Sequence, residues 1–341
     1  MEYKRIQFTR PETAELTTGA FPDEPGPEKV LVRTAYSTVS PGTERAAITD
    51  SPNCGGFRDH VFPRSLGYSS TGTVVRVGEG VDDLKEGDRV LVYWGKHNAY
   101  NLVDRSQVVR IEYDEIDPRQ AALIFISTFP LAAIRKCRLE IGEKALVMGC
   151  GLLGQLAVKL LCAAGAAPVV AADPVEARRE EALRHGADLA LDPTLPDFKE
   201  TVLARTCGGV NVGIEVTGVG AGLDETLDAM AQFGRIALLG CTRRSDFTID
   251  YYRKVHCRGI TMIGAHTNAR PKEESYPGYF THRDDIMAVQ RLMHAGRLDF
   301  GDMLSAAPFS PEDCQSVYDH VINDRAFPTV AQFDWRDKKY D

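Results

Sequence analysis

Apolar and polar positions alternate with a period of two over the first third of the chain, in KVLVRTAY (29–36), TGTVVRVGEG (71–80), GDRVLVYW (87–94) and QVVRI (107–111). Glycines punctuate these runs and helical periodicity is scarce, so residues 1–120 are expected to form a β-barrel-type domain. From about 121 to 266 the pattern changes. Apolar strand-like runs at 145–149, 168–173, 188–192, 212–218, 235–240 and 259–265 alternate with helical candidates near 152–165, 175–185, 197–206 and 221–232. Strands separated by helical crossovers predict an α/β fold, a doubly wound parallel six-stranded sheet covered on both faces. The first of these helices is the best specified: Leu152, Leu153, Leu156, Ala157, Leu160 and Leu161 form one apolar stripe, and Gly165 lies where it stops. A last segment, 267–341, opens with the loop ARPKEESYPGYF, continues in an amphipathic helix at 284–296 and ends in a tail containing FSPEDCQSVYDHVIND.

Composition narrows the class. The 341 residues exceed what one core usually serves, and the 43% hydrophobic, 26% charged mixture is that of a folded soluble protein. A net charge of −8 gives no support to nucleic-acid binding. No apolar run approaches the ~20 residues of a membrane span. The N-terminal MEYKRIQFTRPETAEL lacks the apolar core of a secretory signal, so a cytoplasmic, reducing location is expected. The eight cysteines (Cys54, Cys137, Cys150, Cys162, Cys207, Cys241, Cys257, Cys314) form no C-x-x-C pair, and Cys150 and Cys162 read as buried, inert thiols.

Gly149-Cys150-Gly151-Leu152-Leu153-Gly154 is a G-x-G-x-x-G that follows the strand ALVM and opens the amphipathic helix, the context that gives the motif meaning. Gly149 serves the tight turn, Gly151 lets backbone approach a pyrophosphate, and Gly154 lets helix pack on strand, while the helix N-terminus faces the phosphates. The next strand ends in Asp173, nineteen residues beyond Gly154, where an acid accepts from the adenosine ribose hydroxyls and repels a 2′-phosphate. NAD is therefore the expected cofactor; the alternative is NADP with Arg178 or Arg179 meeting the phosphate. Thr217-Gly218 and Leu239-Gly240 close the fourth and fifth strands, and His266 follows the sixth, all at the edge where open α/β sheets bind ligands.

A β-rich first domain, a six-strand nucleotide domain and a C-terminal return together resemble the medium-chain dehydrogenase/reductase superfamily of alcohol dehydrogenase-like proteins. The likeness is carried by LGYSSTGTVVRVGEGVDDLKEGDRV (66–90), EVTGVGAGLDETLDAMAQFGRIALLG (215–240) and IMAVQRLMHAGRLD (286–299). SPGTERA (40–46) points toward its sugar and polyol dehydrogenases. The resemblance implies a GroES-like catalytic domain over 1–120, a Rossmann NAD-binding domain over 121–266 and a return to the catalytic domain over 267–341. It also implies a homodimer through the sheet edge, Thr128 against the nicotinamide, and Thr43 in the path that carries protons out.

This chain departs from the zinc-dependent pattern. The three ligand positions of that pattern match Pro41, Tyr68 and Ile124, and the closely spaced cysteines of the structural zinc lobe are missing. No metal is expected, so side chains must move the alcohol proton. His97, in a segment that lines the substrate cleft in the superfamily, is a candidate acid/base or else a solvated loop histidine. Tyr68, at a lost ligand position, is a proton relay or a plug. Lys96 lowers the pKa of a nearby phenol, binds an anion, or is a surface residue. Glu44 orients a neighbour or pairs with Arg45; His266 contacts the nicotinamide or caps local backbone. His185, His282, His294 and His320 are expected at the surface.

The leading expectation is an NAD-dependent dehydrogenase acting on a secondary alcohol of a sugar, sugar acid or cyclitol. Alternatives are a zinc-independent quinone or enone reductase and a non-catalytic NAD(H)-binding regulator. Transient oxidation with elimination or epimerisation stays open.

Overall fold

The computed structural model describes residues 1–341 apart from 23, 54–60, 306 and 325–326, so the expectation for Cys54 lies outside the described residues. The chain divides into two units, Met1–Ile126 with Ile286–Asp341, and Ser127–Asp285.

The first unit begins with an antiparallel hairpin, β1 (Glu2–Arg10) and β2 (Thr13–Ala20). There follow β3 (Lys29–Thr38), helix α1 (Pro41–Ile48), β4 (Ser69–Val77), β5 (Arg89–Tyr93), β6 (Tyr100–Asp104), β7 (Val108–Arg110) and the short helix α2 (Pro118–Ala121). Helix α3 (Ile124–Lys136) leads into the second unit, which alternates β8 (Ala145–Met148), α4 (Leu152–Ala163), β9 (Val169–Ala172), α5 (Glu176–Arg184), β10 (Leu189–Leu191), α6 (Phe198–Arg205), β11 (Val210–Glu215), α7 (Gly220–Ala229), β12 (Met230–Leu238) and β13 (Thr261–Gly264). Helix α8 (His282–His294) returns the chain to the first unit, which α9 (Cys314–Asn323) and β14 (Gln332–Asp334) complete.

The second unit is the doubly wound sheet that the alternating pattern predicts. Its strands run β10-β9-β8-β11-β12-β13, all parallel, with the order reversing between β8 and β11. Burial follows: Leu146, Val170, Val210, Leu227 and Ile236 are sealed in one apolar cluster.

In the first unit the sheet runs β14-β3-β4-β5-β7 and is antiparallel. β3 shares its edge away from β4: Lys29–Arg33 pair with β6 and Tyr36–Thr38 with β14. Val30, Val32, Val74, Val90 and Val92 fill one core, while Tyr3, Ile6, Phe8, Tyr318, Phe333 and Trp335 fill another.

The hairpin β1–β2, strand β6 and helices α1 and α3 are absent from the pattern-based reading. α3 (IFISTFPLAAIRK) is buried almost all round and contains Pro130, so no one-sided stripe marks it. Among the described residues no helix is long and apolar enough to cross a membrane.

Candidate active site

In the second unit the glycine turn joins β8 to α4. Gly149 sits at φ 97°, and a Cβ there would lie 2.8 Å from Thr217 Cγ2; at Gly154 a Cβ would meet the Gly149 carbonyl oxygen at 1.9 Å. Only hydrogen fits at either place. Gly151 is different, because a Cβ there would meet nothing within 4 Å. Its open side lies at the N-cap of α4, which no side chain caps, so the first-turn N–H groups of Leu152 and Leu153 are available to a phosphate.

Asp173 closes this turn from β9. Its Oδ2 accepts the Cys150 N–H at 2.8 Å and its Oδ1 the Val175 N–H at 2.8 Å, with the residue 4% exposed. A carboxylate has about four acceptor positions, so both oxygens keep capacity for ribose hydroxyls. Arg178 stands 3.9 Å from Oδ2, while the Arg179 guanidinium donates to the Asp173 and Pro174 carbonyls at 2.8 and 3.0 Å. The fully buried Gln155 amide donates to the Cys150 carbonyl at 3.0 Å and the Arg178 carbonyl at 2.9 Å, and its oxygen meets His185 Nδ1 at 2.8 Å. His185 is thus buried, contrary to the surface position expected of it, because it anchors this bridge. Burial pushes the Cys150 thiol up to about 12, which makes it inert. Cys162, expected to be buried, is half-buried with its thiol against the Gly186 carbonyl at 3.2 Å.

At the ends of β11 and β12, buried Glu215 organises the turn. Its carboxylate accepts the Thr217 N–H at 2.7 Å, the Thr217 hydroxyl and the Gly218 N–H, while its carbonyl accepts from Leu239 and Gly240 at 2.9 Å each. Burial raises its pKa, opposed by those donors. These residues occupy the carboxyl edge of the sheet, as the pattern predicts. His266 is exposed and its Nδ1 accepts the Asn268 N–H at 3.2 Å, the backbone-capping alternative. Thr128 is buried, 3.5 Å from His282 Nδ1.

His282 belongs to a cluster that pattern reading missed. Arg270 donates to His282 Nδ1 at 3.0 Å and to the Thr128 carbonyl at 2.9 Å, and stands 3.2 Å from Asp285, which also faces Arg135 at 3.1 Å. Burial, with the Arg270 charge adding to it, holds His282 down to about 3; burial outweighs both guanidinium groups and lifts Asp285 to about 6. His294 and His320 are exposed as expected.

In the first unit four of the five catalytic candidates gather around α1 and the loop after β5. Pro41 at the first helical position starts α1, a favoured place for proline. Ser40 is its N-cap residue, yet its hydroxyl makes no cap bond and accepts the Tyr68 hydroxyl instead. Glu44 supplies the missing acceptor: its Oε1 takes the Ser40 N–H at 2.8 Å. Its Oε2 takes the Tyr318 hydroxyl at 2.5 Å and His97 Nε2 at 3.1 Å, so its partners do not include Arg45, which donates to the Val321 carbonyl. The other His97 nitrogen meets Ser37 Oγ at 2.7 Å, and that oxygen also accepts the Trp335 indole N–H at 2.9 Å.

His97 therefore departs from the expectation of a group facing the substrate. It is 1% exposed with both ring nitrogens engaged by protein. The cause is backbone closeness: Gly67 sits at φ 104°, and a Cβ there would lie 2.8 Å from the His97 nitrogen. Tyr68 follows Gly67 and is 8% exposed, with ring centroids 5.6 Å from Trp94 and 6.1 Å from Phe125. Thr43, on α1, is half-buried. Lys96 is half-buried and its pKa is lowered by burial, against the pull of Glu44. Ser37, Ser40, Tyr318 and Trp335 were not singled out in the sequence; the Ser-Pro pair and the acid four residues on were the available signal for Ser40.

The donor set does not fit a three-ligand zinc site. Pro41 offers no side-chain donor, Ile124 is apolar, and the Tyr68 hydroxyl is bonded to Ser40. Among the described residues no three His, Cys, Asp or Glu side chains are grouped to hold a metal ion.

Comparison with known proteins agrees with this architecture. Residues 26–112 match the alcohol dehydrogenase GroES-like domain and 153–281 the zinc-binding dehydrogenase family. The chain is 31% identical over 260 residues to (R,R)-butanediol dehydrogenase of Bacillus subtilis, covering 69% of this chain and 70% of that one. It is 30% identical over 304 residues to L-threonine 3-dehydrogenase of Thermococcus kodakarensis, covering 76% and 81%. The crystal structure of 2R,3R-butanediol dehydrogenase from Bacillus subtilis superposes with a TM-score of 0.80 at 23% identity, over 98% of this chain and 99% of that one.

Proposed function

This chain belongs to the alcohol dehydrogenase-like medium-chain dehydrogenase/reductase superfamily, and we propose that within it the chain is a zinc-independent, NAD(H)-dependent dehydrogenase of a secondary alcohol on a sugar, sugar acid or cyclitol. That it is an alcohol-acting oxidoreductase follows from membership. The finer reading is carried by one observation: where zinc ligands are wanted, the chain has Pro41, Ile124 and a phenol already bonded to Ser40.

The cofactor supplies the hydride acceptor or donor. The chain holds it through Leu152 and Leu153 N–H groups, the open side of Gly151 and the remaining acceptor capacity of Asp173, which favours a free ribose 2′-hydroxyl over a phosphate. Tyr68 orients the reacting hydroxyl and relays its proton, the phenol oxygen accepting it as the phenol releases its own proton onward toward solvent, with its rotor fixed by Ser40. Glu44 holds the Ser40 backbone N–H, and His97 in turn holds Glu44. Relatives acting on a butanediol and at position 3 of L-threonine support a secondary alcohol as substrate. A homodimer through the outer edge of β13, the last strand of its sheet, suits this reading.

The deciding experiment is metal analysis of purified protein, then turnover of NAD with a polyol and aldonate panel before and after chelation. Full activity without stoichiometric metal is the expected result. Activity lost on chelation and restored by zinc overturns the proposal.

A further inference from the structure

The loop between β5 and β6 is pinned unusually well for a connection of six residues, 94–99. The Trp94 N–H donates to the Tyr68 carbonyl at 3.0 Å and the His97 N–H to the Leu66 carbonyl at 2.8 Å. Buried Asn101 takes the Lys96 N–H at 2.8 Å, returns a bond to the Lys96 carbonyl at 3.2 Å and donates to Thr34 Oγ1 at 3.0 Å. The backbone of Lys96 is therefore fixed from both sides by Asn101 of β6.

Its ammonium group, by contrast, has no hydrogen-bond or ion-pair partner among the described residues. The acid whose charge reaches it is Glu44, whose carboxylate already accepts from Ser40, His97 and Tyr318. Burial lowers the Lys96 pKa, the sign of a cation lacking compensation. Two residues earlier, Trp94 holds a left-handed backbone at φ 59° with 37% of its surface exposed. That conformation is costly for a bulky side chain, and such strain gathers at ligand sites.

We propose that Lys96 anchors an anionic group, a carboxylate or a phosphate, on the polyhydroxylated substrate, with Trp94 presenting an aromatic face to its carbon skeleton. This rests on the function proposed above and narrows it from polyols in general to acidic sugars. The anion completes the one charge the loop leaves uncompensated; a neutral polyol leaves it unpaired.

The test compares kcat/KM with NAD for D-gluconate, D-glucitol 6-phosphate and neutral D-glucitol, in wild type and in Lys96→Met, Lys96→Gln and Lys96→Arg. Wild type is expected to favour one of the two acids over glucitol, and which one identifies the group. Lys96→Met and Lys96→Gln should cut that acid-to-polyol ratio by about tenfold to a hundredfold, the worth of a hydrogen bond to a charged group, with the loss mainly in KM. Lys96→Arg should keep part of it. No acid preference in wild type, or an equal ratio in the Met and Gln variants, overturns the proposal. Thermal unfolding of each variant separates misfolding from lost recognition. If no alcohol in the panel is oxidised, the dehydrogenase reading fails by itself. Calorimetric titration with D-gluconate and with inorganic phosphate then decides the anion site: binding that Lys96→Met abolishes upholds it, and binding equal in both proteins or absent from both overturns it.

Discussion

The Glu44 carboxylate and the His97 imidazole meet at 3.1 Å with 1% of either side chain exposed. Glu44 is an acceptor for three donors at once, and nothing else among its described contacts replaces it. Where the Glu44 oxygen accepts in that bond, His97 Nε2 carries its proton. Ser37, which accepts from Trp335, still has a proton of its own to give to His97 Nδ1.

Removing Glu44 should therefore hurt the fold before it hurts chemistry. Glu44→Ala strands the buried donors of Ser40, His97 and Tyr318, and a cost of about 1–3 kcal/mol for each donor left unsatisfied is expected. Urea unfolding of Glu44→Ala, His97→Ala and the double variant reads the coupling between them. A coupling energy near zero would remove this pair from the architecture.

Tyr68→Phe keeps the ring between Trp94 and Phe125 and deletes the hydroxyl that meets Ser40. We expect kcat to fall about a hundredfold or more with KM changed little, as for loss of a proton-transfer group. Ser40→Ala should lose less, because it frees the phenol rotor without removing it. Steady-state kinetics on both variants checks the order; wild-type turnover in Tyr68→Phe would take the phenol out of the mechanism.

Asp173→Ala removes the acceptor beside the glycine turn. NAD binding should weaken by about tenfold to a hundredfold, in line with a hydrogen bond to a charged group, and the penalty against NADP should shrink. Fluorescence titration of both dinucleotides measures each. Unchanged NAD affinity would deny Asp173 its ribose role.

The cluster of Thr128, Arg135, Arg270, His282 and Asp285 gives the second unit a pH signature. His282 is held down to about 3, so between there and the ordinary histidine value the unfolded chain binds a proton that the folded chain refuses. Stability therefore falls as pH drops through that window, and His282→Gln should flatten the fall. Asp285 acts in the opposite sense. Lifted to about 6, it contributes stability that is complete below its ordinary value and lost as pH rises through 6. Urea midpoints from pH 4 to 7 for wild type, His282→Gln and Asp285→Asn test both slopes; parallel curves for all three would contradict the assignment.

The parallel sheet and its glycine turn were legible in the sequence because each rests on local signals: apolar runs of strand length, an amphipathic α4, and an acid at the end of β9. Helix α3 was not, since an element buried on nearly every side shows no period. In the first unit Tyr68, Glu44, Lys96 and Thr43 were picked out as types, yet their wiring was hidden. His97 looks like a loop histidine until Gly67 brings its backbone against the β4 entrance, and Tyr318 lies 274 residues from the carboxylate it meets. Long-range partners of that kind leave no mark on spacing.

Gln155 links the Cys150 carbonyl in the glycine turn, the Arg178 carbonyl on α5 and the ring of His185 through a single amide. A substitution at His185 frees the Gln155 oxygen and lets that amide turn, so dinucleotide affinity will respond to a residue that no dinucleotide atom has to touch. Ranking variants of this unit by distance from the cofactor would misplace it, whereas ranking them by the number of bonds separating them from Cys150 would not.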